Sequence, residues 1–211
     1  MIVAEQVWER QVKPMIPPLK PGARLLQVCG PTIETERLIL RPWRSSDIAP
    51  NAVMLSDPRT ARFIAADGKP VTTEIAGWRN AAVISGHWAL HGFGMFVVEE
   101  KESGSYVGRV GPWSPPGWPG FEVGWGIARE FRGKGYAVEA AAASIDWVFA
   151  SFETDEIIHC IESVNAPSHA WPGDWARKRI VRSICSAGRP IYGSRPAACG
   201  PLEIESDVDL H

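Results

Sequence analysis

One stretch constrains this chain more than any other: Glu122-Val-Gly-Trp-Gly-Ile-Ala-Arg-Glu-Phe-Arg-Gly-Lys-Gly-Tyr-Ala137. Phe121 to Ile127 reads as a strand. Gly133 and Gly135 then open a loop, and Gly135 to Phe152 is the longest helix candidate, alanine-rich, with Val138, Ile145, Val148 and Phe149 on its apolar side. The first turn of any helix has backbone N–H groups without intrahelical partners, at the positive end of the helix dipole. Glycines let an anion approach those groups closely, and Arg132 and Lys134 add formal charge beside them. The pattern is that of a diphosphate cradle.

Two common cradles do not fit. A Walker loop needs Ser or Thr after its lysine, and Lys134 is followed by Gly135. A dinucleotide fingerprint needs a third glycine where Val138 stands, and it opens the first βαβ unit, whereas this loop comes late in the chain.

The flanking segments predict a mixed α/β protein. Arg37 to Arg41 is a strand stopped by Pro42, and a helix with Ser46 and Asp47 as cap material runs to Leu55. Thr73 to His91 is a second helix, ended by Gly92 and Gly94. Met95 to Val98 and Tyr106 to Val110 are strands around a turn at Lys101 to Ser105, and Glu156 to Ser163 is a further strand. Trp113, Pro115, Pro116, Trp118 and Pro119 crowd one connection, which either borders an acceptor site or is a rigid surface link. Residues 1–32 form a proline-rich leader in which Met1 to Val12 has short-helix potential. Residues 33–170 are the patterned core, and residues 171–211 form a tail rich in Pro, Gly and Arg without amphipathic period.

Composition removes other classes. Lys and Arg number 22 against 24 Asp and Glu, so no basic field argues for nucleic acid or an anionic membrane. No apolar run approaches the roughly 18 residues of a membrane span, and without a basic stretch followed by an apolar one at the N-terminus no signal peptide is expected. Cys29, Cys160, Cys185 and Cys199 show no metal or redox spacing, which fits a reducing cytoplasm. His87 and His91 stand four apart without a third ligand, so no metal is expected. His159 reads as a structural histidine.

Arg132-x-x-Gly135-x-Ala137 resembles the coenzyme A loop of the GNAT N-acetyltransferases. Thr35-Glu-Arg-Leu-Ile-Leu-Arg-Pro42 resembles the first strand of the ribosomal-protein-acetylating RimJ/RimL-like branch, Glu122-Val-Gly-Trp125 its fourth strand, and Asn165-Ala-Pro-Ser168 its Asn-x-x-Ser site. The resemblance implies the α/β GNAT (acyl-CoA N-acyltransferase) fold, a mixed sheet with flanking helices. It implies acetyl-CoA as co-substrate, a primary amine of a small molecule or protein N-terminus as acceptor, and direct attack of that amine on the thioester. A homodimer is compatible with it. Residue by residue, it implies that backbone N–H groups of Arg132, Gly133, Lys134, Gly135, Tyr136 and Ala137 hold the pyrophosphate. Ile127 would pair through its backbone with the pantetheine arm, Asn165 would bond the arm, and Ser168 would protonate the departing sulfur. Asn165 and Ser168 are equally good helix caps. Glu122 is either a base, through water, or a structural carboxylate.

The resemblance stops at Ala170. The family continues with a helix reading Val-Ala-x-x-Leu-Gly and two more strands; this chain reads Trp171-Pro-Gly-Asp-Trp-Ala176. Back-translation gives TGG CCN GGN GAY TGG GCN. Regrouped with the last base of codon 170, it becomes NTG GCC NGG NGA YTG GGC: Val, Leu or Met; Ala; two variable positions; Leu; Gly. We therefore expect that one base is lost near codons 170–171 and that residues 171–211 are out of frame. The last helix and two strands would then be missing, leaving a poorly ordered tail and an uncovered parallel edge, with loss of activity as the alternative outcome: a vestigial coenzyme A-binding protein.

Overall fold

The computed structural model describes residues 30–65, 68–161 and 165, and the backbone of 180–185. The expected leader, up to residue 29, and most of the expected tail lie outside the described residues. Seven strands form one sheet in chain order: β1 (Ile33–Glu34), β2 (Leu38–Arg41), β3 (Phe96–Glu100), β4 (Tyr106–Trp113), β5 (Glu122–Ile127), β6 (Glu156–Ile161) and β7 (Ile180–Cys185). The first five pair antiparallel; β5 to β6 and β6 to β7 are parallel. The mixed sheet is the expected one, with a difference at its far edge. Ile180–Cys185 lies along β6, so that edge carries a strand where the sequence reading leaves it bare.

The helices are α1 (Ile48–Ser56), α2 (Pro58–Ile64), α3 (Glu74–His91) and α4 (Tyr136–Ser151). The single helix expected from Ser46 to Leu55 is a 3₁₀ turn over Ser45–Asp47 followed by α1, and α2 is an element the sequence reading lacks. Pro58 disfavours helical backbone at Asp57, which ends α1 in an extended conformation. Pro58 then starts α2 at the position where its missing N–H costs nothing, and Asp57 caps α2 by accepting from Arg59 N at 3.1 Å. Thr73 caps α3 by accepting from Ala76 N at 3.2 Å, and Gly92, at φ 74°, ends it as the sequence indicates.

The main core lies between the sheet and α4. Leu38, Leu40, Phe96, Val98, Val107, Val123 and Ile157 meet Tyr136, Ala140, Ala141, Ile145 and Val148, with Ile84 and Trp88 of α3 joining them. The buried stripe of α4 is thus built on alanines, which let the helix approach the sheet; Val138 and Phe149 only flank it. A smaller cluster, Met54, Leu55 and Ala128 with Ile64, Val71, Tyr106 and Phe131, packs α1 and α2. One buried ion cluster ties the first strand down. Arg41 donates to both carboxylate oxygens of Asp47 at 2.8 Å and to Glu99 at 2.7 Å, and the Asp47 hydrogen bond holds its guanidinium above the ordinary arginine pKa. Among the described residues, no helix is long and apolar enough to cross a membrane.

Candidate functional site

The strand–loop–helix junction forms where the sequence places it. Beyond Ile127 a 3₁₀ turn over Arg129–Phe131 leads into the loop, and α4 starts at Tyr136. Gly133 and Gly135 both adopt the left-handed region, at φ 77° and 81°, where a side chain would be strained. A Cβ at Gly133 would meet nothing within 4 Å, so the loop faces open space there. No side chain caps α4, and among the described residues the N–H groups of 133–138 have no hydrogen-bond partner. These are the groups an anion would satisfy. A diphosphate therefore fits the junction.

The charges around it differ from the sequence reading in one respect. The Arg132 guanidinium does not face the open side of the loop. Its Nη2 donates to Thr60 Oγ1 and lies 3.3 Å from Asp57 Oδ2, and its Nε donates to Ile127 O at 3.2 Å. Its charge is therefore spent on tying the loop to the start of α2 and the end of β5. Burial raises the pKa of Asp57, but hydrogen bonds from Arg59 and Thr60 and the charge of Arg132 outweigh it and leave the net shift downward. Lys134 stays half-exposed, with Nζ 4.8 Å from the Phe131 ring and 4.0 Å from Glu100. Tyr136 is buried and its hydroxyl donates to Glu100.

Arg37 supplies what sequence reasoning missed. Its Nη1 donates to Lys134 O at 2.9 Å, its Nε and backbone N donate to Glu139 at 2.7 and 2.8 Å, and its guanidinium lies 4.6 Å from the Tyr136 ring centroid. Glu139 sits in the first turn of α4, where its charge would oppose a second anion. Arg37 and Thr35 neutralise and bond it. Burial works to raise its pKa, but those hydrogen bonds prevail and the carboxyl is held below the usual range.

Beside the junction the sheet opens. One register pair, Glu122 with Ile158, joins β5 to β6, and Ile158 N donates to Phe121 O at 2.9 Å. A continuing parallel ladder would next pair Cys160 N with Val123 O. Neither takes the other. Cys160 N donates to Glu122 Oε1 at 3.1 Å, and His159 Nδ1 lies 2.6 Å from Val123 O. Glu122 Oε2 also accepts from Trp118 Nε1 at 2.6 Å, which ties the Trp/Pro loop to the same point. Glu122 and His159 are both buried. Burial lowers the His159 pKa against its hydrogen bond to Val123, so the ring is neutral with Nδ1–H donating. Burial and then the Glu122 carboxylate push the Cys160 thiol far up, which keeps it protonated.

Among the described residues, no pairing with β6 is formed by Gly124, Gly126 or Ile127. Ile127 and the 132–137 loop lie at one end of β5, with Glu122 at the other. Asn165 is half-buried, in the chain after β6 and outside any strand or helix. Ser168 falls outside the described residues. His87, one of the histidines weighed as a ligand, has its Nδ1 2.7 Å from Phe93 O and its ring stacked on Trp113.

The sequence profile of the acetyltransferase (GNAT) domain matches residues 37–171, well over half of the chain. The chain belongs to the GNAT acetyltransferase family. Among its relatives is the uncharacterized N-acetyltransferase p20 of Bacillus licheniformis, 28% identical over 65% of this chain and 76% of that one. Another is the uncharacterized protein YkkB of Bacillus subtilis, 28% identical over 71% of this chain and 81% of that one. Among solved structures, an acetyltransferase from Agrobacterium tumefaciens superposes with a TM-score of 0.60 at 29% identity, covering 71% of this chain and 84% of that one. GNAT proteins use acetyl-CoA, and by this membership the chain is a transferase.

Proposed function

We propose that this protein moves an acetyl group from acetyl-CoA to the primary amine of a small molecule or a protein N-terminus in the cytoplasm, as a member of the RimJ/RimL-like branch. One observation carries the proposal: the uncapped start of α4, with two left-handed glycines, opens directly beside the gap between β5 and β6. The amides of 133–137 hold the pyrophosphate, the Arg132 N–H being shared with Arg129 O at 3.3 Å, and the backbone of Ile127 pairs with the pantetheine arm as a missing strand would. Asn165 bonds the arm. The amine nitrogen forms a bond to the thioester carbon while the carbon–sulfur bond breaks; one proton leaves the amine, and Ser168 gives one to sulfur. Holding the two reactants in line accounts for much of such a rate. For Glu122, two hydrogen bonds accepted in a buried position favour a structural role over that of a base.

A second reading concerns the tail. The profile match ends at residue 171, where back-translation puts a lost base. This supports a frame change there and a chain that holds coenzyme A without turning it over. A thermal shift with acetyl-CoA, thiol release with a panel of amines, and the same assays on a chain with the base restored test both. We expect coenzyme A to stabilise both chains and the restored chain to release thiol faster. An unbroken nucleotide read with close relatives sharing Trp171 to His211 would overturn the frame change. No coenzyme A affinity in the restored chain would overturn the acetyl-transfer reading.

A further inference from the structure

We infer that Glu122 and His159 are a pair of positioning residues that hold the sheet open for the pantetheine arm, each capping the backbone group of the other's strand that its own strand would otherwise have paired. The inference rests on the acetyl-transfer reading for its purpose and on hydrogen bonds alone for its geometry.

Two strands in a sheet separate only if the freed amide and carbonyl find other partners, because a buried, unpaired backbone group is costly. At this point the freed groups are Cys160 N and Val123 O. Glu122, on β5, reaches across to the amide of β6, and His159, on β6, reaches across to the carbonyl of β5. The exchange is reciprocal: an acceptor side chain replaces the lost carbonyl and a donor side chain replaces the lost amide. Each spans a width that a direct N–H···O bond cannot. Trp118 fixes the second carboxylate oxygen, and Trp125 meets the His159 ring edge to face at 5.0 Å, so neither side chain swings freely.

The assignment separates Glu122 from proton transfer. A carboxylate that accepts from Trp118 Nε1 and Cys160 N has both oxygens engaged, and a proton on either would weaken a bond already made. The amine then arrives deprotonated from solution, and the rise of rate with pH reports the amine rather than the protein.

The test uses the full chain. Glu122→Gln keeps shape and one acceptor, while Glu122→Ala keeps neither. Amide exchange at Cys160 is expected to be slow in the wild type, faster in the Gln variant and fastest in the Ala variant, and nitrogen chemical shifts are expected to show His159 protonated at Nδ1. In turnover, Glu122→Gln should raise the acetyl-CoA KM while changing kcat by less than about threefold, with the rising limb of the pH profile unmoved. His159→Asn combined with Glu122→Gln should be non-additive, because both act on one gap. A loss of about a hundredfold or more in kcat at unchanged KM, with the rising limb abolished, would make Glu122 the base and overturn the inference. So would unchanged exchange at Cys160 in both variants. If coenzyme A fails to stabilise the wild type and the base-restored chain, the acetyl-transfer reading falls by itself, and the exchange experiment still decides the inference.

Discussion

The two flanks of β6 behave oppositely. Toward β7 it pairs at every residue, from Glu156 with Ile180 to Ile161 with Cys185. Toward β5, among the described residues, it pairs at Ile158 with Glu122, and Cys160 N turns to a side chain instead of Val123 O. The same six residues therefore make a complete parallel ladder on one side and an interrupted one on the other. The opening is not a weakness of β6 as a strand. It is imposed locally, by a carboxylate and an imidazole that intercept two backbone groups. Here the backbone groups freed at the gap are taken up by side chains.

That contrast can be stressed from three directions. The harshest is Ile157→Ala. Ile157 is fully buried against α4 and sits on β6 just before the parting, so truncation should cost about 2–5 kcal/mol of unfolding free energy, read by urea denaturation. A loss within about 0.5 kcal/mol would mean that β6 is not anchored by the α4 core, and the contrast between its flanks would lose its fixed reference.

A smaller effect comes from acid. His159 is neutral in the fold, with its pKa lowered by burial from the ordinary 6.5. Above that value both folded and unfolded chains carry it neutral. Below it the unfolded chain binds a proton that the folded chain resists, so stability is lost as pH falls from 6.5 through the lowered value. Between about pH 7.5 and about pH 5.5 the wild-type denaturation midpoint should fall, and the fall should be shallower in His159→Asn. Equal slopes in the two proteins would show that burial does not hold His159 neutral in the fold.

The mildest is Arg37→Ala at the far end of the cleft. Its ion pair with Glu139 is partly exposed, so stability should change by no more than about 1 kcal/mol. Coenzyme A affinity should drop by about fivefold, because Glu139 is left unneutralised beside the phosphate groups and Lys134 loses its brace. Isothermal titration reads this directly. An unchanged affinity would confine the specialised backbone to the β5–β6 gap and detach the loop from it.

Much of this molecule was legible in the chain order. The glycines at 133 and 135, the alanine-rich helix behind them and the strand before them are local signals, since a left-handed turn and an uncapped helix start depend on residues close in sequence. Thr73, Gly92 and the turn around Gly104 were legible for the same reason. Three elements were missed: α2, because a seven-residue helix begun by Pro58 has too few positions to show a period, β1, which is two residues long, and β7, which falls in the stretch read as tail.

What the sequence determined by itself was the kind of junction and the family to which it belongs, for both are written in short motifs. What only the tertiary structure decided was the use of each charge. Arg132, read as a cation for phosphate, turns to Asp57, 75 residues away, and Arg37 takes up the loop from 97 residues away. The capping exchange at the cleft joins residues 36 and 38 apart. A side chain's partner across such distances is chosen when strands and helices pack, and no spacing along the chain encodes which of several carboxylates a guanidinium will meet.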